Sequence, residues 1–152
     1  MKYSPEFIRF NQGIIFGEVG ALIGVPLTPL IVSRFTTNAA ALSTSAVIGG
    51  VVLGSAFWLI ANLSQKHAQE STDSGRGAGT LAKRIAYFTP AAFLISLVTY
   101  HPVIWLVSYW LLRKGTAAPL AAITAEGLAF VLFLSAMNLY RLALYRVTAV
   151  RI

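Results

Sequence analysis

The chain has 152 residues, 57% of them hydrophobic and only 11% charged, with a mean hydropathy of +0.71. That composition excludes an ordinary soluble domain, and the absence of cysteine excludes disulfides, thiol catalysis and thiolate metal sites. A formal net charge of +7 would suit nucleic acid, but the basic residues lie in short segments between and beyond apolar blocks, where they orient helices and meet anionic lipid, so no nucleic-acid partner is expected.

Four apolar blocks follow one another: Gly13–Val32, Ala39–Leu63, Ile85–Leu112 and Ala117–Tyr140. Each holds about twenty residues or more, and at ~1.5 Å rise per residue each can cross a hydrocarbon core of roughly 30 Å. The expected fold is an all-α, multi-pass integral membrane protein of the cytoplasmic membrane, one domain over residues 1–152. Residues 13–63 form a first hairpin, 64–84 a flexible cytoplasmic loop and 85–140 a second hairpin.

The first block carries Gly13, Gly17, Gly20 and Gly24 at helical spacing, and the second carries Ala46, Gly50 and Gly54. Between helices in lipid there is no hydrophobic drive, so such small faces serve close van der Waals packing. They fit either the first hairpin closing on itself or a homodimer seam. Asn38-Ala39-Ala40 could pass for a signal-peptide cleavage site, but the block before it is too long and contains Glu18, Pro26 and Pro29. It reads as a retained helix.

Glu18 lies about six residues into the first span, or ~9 Å deep. An acid inside hydrocarbon costs several kcal/mol unless neutralised, paired or wet, which makes it a candidate proton or substrate group. Interfacial water, or a bond to Gln12, would satisfy it as a purely structural alternative. The loop Gln69–Gly79 has linker composition; its Gly75-x-Gly77-x-Gly79 follows no strand and lacks the Lys-Ser/Thr of a phosphate-binding loop.

In the second hairpin, His101 precedes Pro102 within the third span and could face an acid on the fourth, or be a local hydrogen-bonding group beside a kink. That acid is Glu126, near mid-membrane, sharing a helix face with Pro119, Ala122, Ala129, Phe133 and Met137. The face should point into the bundle or a partner. Asn62 and Asn138 end the second and fourth spans and, with Asn11 and Gln12, form a polar inner rim. Arg9, Lys83, Arg84 and Arg141 could supply counter-charges there for a phosphate head group, or simply anchor the spans.

Residues 76 positions apart match at Pro26 and Pro102, Leu30 and Leu106, Phe57 and Phe133, Asn62 and Asn138, and Leu63 and Leu139. Two spans per unit preserve orientation, so the hairpins read as parallel repeats. Nine Lys and Arg lie in the amino-terminal tail, middle loop and carboxyl tail, against Arg34, Arg113 and Lys114 in the other two loops, which puts both termini in the cytoplasm. The chain shows no GxSxG, metal-spaced His pair, acidic cluster or dinucleotide fingerprint, so no enzyme, cofactor or metal is expected.

Phe7-Ile8-Arg9-Phe10 leading into Gly13, the paired hairpins, and Asn138-Leu-Tyr-Arg141-Leu-Ala-Leu-Tyr145-Arg146 resemble the GtrA-like family of four-span proteins. That resemblance implies a non-enzymatic role in moving or presenting polyprenyl-phosphate-linked sugars. Gly13-Ile-Ile-Phe-Gly-Glu18-Val19 and Ser55-Ala-Phe57-Trp58-Leu59 also resemble the first two helices of small multidrug resistance exporters, which would make Glu18 a proton and cation site. The long middle loop and the strong charge bias depart from those exporters. A third reading is an accessory subunit of a larger membrane complex. Membrane lipids, a second copy or other membrane subunits are the expected partners.

Overall fold

The computed structural model describes the backbone of residues 5–70 and 89–148, and the side chains of residues 11, 12, 14–61 and 89–147. The described residues are helical throughout, apart from two short turns. Helix α1 spans Pro5–Val32, α2 Ala39–Glu70, α3 Thr89–Arg113 and α4 Ala118–Thr148. Each is long and apolar enough to cross a membrane.

Three helices outrun the blocks read from hydropathy: α1 begins at Pro5, eight residues before Gly13. α2 continues to Glu70 and α4 to Thr148, because Gln65, Lys66, Ala68 and Gln69, like Arg141 and Leu142, are good helix formers and no Gly or Pro stops them. Hydropathy marks where a helix leaves lipid, not where it ends. The remainder of the middle loop, with Lys83 and Arg84, lies outside the described residues.

Each tight turn is set by local chemistry. Asn38 caps α2: its Oδ1 accepts from the Ala40 and Ala41 amides at 2.9 and 3.1 Å. At the end of α3, Gly115 takes φ +85°, a left-handed conformation that L side chains resist. The Gly115 and Thr116 amides then close back on the carbonyls of Leu112 and Leu111 at 3.0 and 3.1 Å.

The helices form a bundle in which α1 packs on α2 and α4, and α3 packs on α4 and α2. The α1–α2 seam is the tightest. A Cβ on Gly20 would overlap the Leu53 carbonyl, and one on Gly24 the Gly49 carbonyl. The Thr28 hydroxyl ties the seam, lying 2.6 Å from Ser45 O and 3.0 Å from Gly24 O. Gly20 and Gly24 are thus covered within the chain. Ala46 and Gly50 face the same seam, and a Cβ on Gly54 would come 3.3 Å from Gly17 O. Gly17 has room, its added Cβ meeting Trp58 at an ordinary 3.5 Å. The closest partner, Gly49, was not on the stripe read from the sequence, and the surroundings of Gly13 lie outside the described residues.

Helix α3 is not uniform. Ser96–Tyr100 forms a π turn, in which the His101 amide donates to Ser96 O, five residues back, just before Pro102. Pro102 has no N–H, so the ordinary bond to Val98 O is already lost there. The side chains that α3 turns into the bundle are Ala92, Ile95, Tyr100, Ile104 and Ser108. The five-residue step from Ile95 to Tyr100 falls on the π turn, which keeps both halves of α3 facing inward. The His101–Arg113 half packs on α2 and α4, while the π turn packs on α4.

Outward faces are apolar: Ile48, Val52, Val98, Leu106, Val131 and Leu139 are all exposed. Such an exterior is stable against lipid and not against water.

Candidate functional site

The buried stripe of α1 runs Ile14, Glu18, Ala21, Val25 and Pro29, steps of three and four that form one helix face. Glu18 sits on it between Ile14 and Ala21 and is itself buried. On α4 the face carrying Ala122, Ala129, Phe133 and Met137 turns inward and takes Glu126 with it, at 0% exposure against 8% for Glu18. The two acids come from opposite ends of the sequence because α1 and α4 are neighbours in the bundle.

Between them stands Tyr100. Its hydroxyl donates to Glu126 Oε1 and lies 3.3 Å from Glu18 Oε2, so one phenol oxygen is in reach of both carboxyls. Its ring packs 5.5 Å from Phe133 and 5.6 Å from His101. Glu126 Oε2 receives no hydrogen bond from any described donor, and no described Lys or Arg acts on either acid. When both acids are ionised the cluster holds two negative charges and a single shareable hydrogen. A proton or a monovalent cation reduces that to one charge, as an interior without countercharge requires.

A cavity of about 500 Å³ reaches this cluster. It opens between α2 and α3, where Leu59 and Phe93 are 52% and 62% exposed, and its floor includes Gly17, Glu18 and Tyr100. Trp58 and Phe133 form part of its walls. Glu126 is not among the groups that line it. The opening faces sideways, toward the region lipid tails would occupy.

His101 also lines the cavity, but among the described residues no hydrogen bond joins it to either acid; Tyr100, one position earlier, makes the contact that His101 was expected to offer. Asn138 lies deeper toward the chain termini, exchanging amide bonds of 3.1 and 3.4 Å with Asn11 and donating to Leu134 O. Arg141 is half-buried one turn beyond it. The side chains of Arg9 and Asn62, and all of Lys83 and Arg84, lie outside the described residues. No group of three or more His, Asp or Glu suited to a metal occurs among the described residues.

From the sequence Tyr100, like the other Trp and Tyr residues, fits either an interfacial anchor or a group lining the bundle, and in the structure it is buried inside. Its depth was the available signal: thirteen residues separate it from Arg113, about 20 Å along the helix, and a phenol so far inside needs a polar partner. No family model, curated protein or solved structure matches the chain. Its function has to be read from these residues.

Proposed function

We propose that the protein is a small membrane carrier that exchanges protons for a lipophilic cation at the Glu18–Glu126 pair. One observation carries this reading: a buried carboxyl, Glu18, borders an apolar cavity and shares the Tyr100 hydroxyl with a second, enclosed carboxyl, Glu126, with no Lys or Arg beside them among the described residues. A site of that kind binds positive charge, and its apolar, aromatic walls suit a cargo soluble in lipid. Proton and cargo compete for the same negative charge, which is what couples their movements.

The charge also bears on the lipid-linked sugar reading. A polyprenyl phosphate entering this cavity would meet acids instead of the Arg and Lys donors that phosphate recognition uses. The Lys and Arg distribution supports cytoplasmic termini, and with that orientation the cavity lies in the cytoplasmic half of the membrane. Reporter fusions in the middle loop and after Arg151 should both report cytoplasm.

The deciding experiment adds tetraphenylphosphonium to weakly buffered, purified protein and records binding and released protons together. Native protein should bind the cation and release protons. Glu18→Gln should abolish both while the protein remains folded, because the amide keeps the shape but has no charge to exchange. Equal cation binding by native protein and Glu18→Gln would remove the proposal.

A further inference from the structure

Glu18 and Glu126 differ in one respect that the carrier reading alone does not use. Glu18 borders the cavity, whereas Glu126 is fully enclosed and absent from its lining. A cargo cation can therefore touch Glu18 but not Glu126. The element between the acids is a single hydroxyl, with one hydrogen to give and lone pairs to receive. Donating to Glu126, it can form a second full hydrogen bond to Glu18 only when Glu18 carries a proton and becomes the donor.

Resting on the carrier reading, we infer that Tyr100 is the positioning residue through which the enclosed Glu126 sets the proton exchange of Glu18. In the cargo-free state a chain runs from the Glu18 O–H to the Tyr100 oxygen and from the Tyr100 O–H to the Glu126 carboxylate. When a cation arrives, the Glu18 proton leaves to water in the cavity and the cation replaces its charge, one for one. The Tyr100 O–H goes on donating to the Glu126 carboxylate, which holds the second negative charge away from cargo. The fold commits to this arrangement: the π turn brings Tyr100 inward together with Ala92 and Ile95, and the Phe133 ring packs against the phenol. Among the described residues, the titratable groups around the hydroxyl are Glu18 from α1, Glu126 from α4 and the adjacent His101 on α3, and the α2 side chains on the cavity are not titratable.

A double-mutant cycle tests this with tetraphenylphosphonium as the probe. In the native background, Glu126→Gln should move the pH midpoint of cation binding by about one unit, a tenfold change in proton concentration. In the Tyr100→Phe background the same substitution should move the midpoint by about 0.5 units or less, the remainder being the direct charge interaction of two nearby carboxyls. His101→Gln should not alter the difference between the two backgrounds. An equal shift with and without the Tyr100 hydroxyl overturns the inference but leaves the carrier reading intact. Loss of every cation effect, including that of Glu18→Gln, overturns the carrier reading. A second measurement then still judges Tyr100: the infrared stretch of the protonated carboxyl, recorded without cation, should move on Tyr100→Phe, and an unmoved band refutes the positioning role.

Discussion

The α1–α2 seam and the α2–α3 opening use the same helix, α2, in opposite ways. Toward α1, α2 presents Gly49 and the Leu53 carbonyl, and the two backbones come together directly opposite Gly24 and Gly20. Toward the first half of α3 it presents Ser55, Trp58 and Leu59, and a ligand-sized space remains. In lipid neither arrangement is driven by hydrophobic burial, so the difference is one of surface shape. Small residues weld two helices into a unit. Larger residues, opposite a helix whose register is broken, hold the next helix away and leave room for a guest.

The sharpest test of that contrast is Gly24→Ala, a single methyl placed against the Gly49 carbonyl. Neither backbone can yield without opening the seam, and a loss of about 3 kcal/mol is expected, the upper end for overpacking. Thermal unfolding in mild detergent measures it. Thr28→Val keeps the shape but removes the hydroxyl that spans Gly24 O and Ser45 O; the expected loss is about 1 kcal/mol, within the range for interhelical bonds in membranes. Gly17→Ala lies on the same helix face where the added methyl meets only ordinary contact distance, so stability should hold or rise by about 0.5 kcal/mol from the better helix propensity. If Gly17→Ala and Gly24→Ala cost the same, backbone contact is not what distinguishes the seam.

Much of this architecture was legible as pattern. Hydropathy located all four helices, and the small residues of α1 pointed to close packing. Depth in the span singled out Glu18 and Glu126. What could not be read is anything that depends on how one helix is turned relative to another. Gly49 and Gly50 are adjacent, and which of them meets Gly24 depends on a rotation of about 100°. Tyr100 and His101 present the same ambiguity beside Pro102, and the π turn decides it. The helical run from Ser64 to Glu70 escaped for a different reason: polar helix formers beyond the membrane look like a loop to a hydropathy scale.

The π turn also makes α3 one residue longer than its job of crossing the membrane requires. Between Ile95 and Tyr100 the chain takes five steps where an unbroken α-helix would take three or four to return to the same face. Removing one residue from within 96–99 would bring Ile95 and Tyr100 to four-residue spacing and keep the packing faces on either side, although Pro102 would still donate no backbone hydrogen bond. Inserting one would not, because a second extra residue turns the two halves apart by about 100°. This short segment therefore has a preferred direction of length change: it can shed a residue and stay a coherent wall of the bundle, but it cannot gain one. The rest of α3, already at three- or four-residue spacing, has neither option.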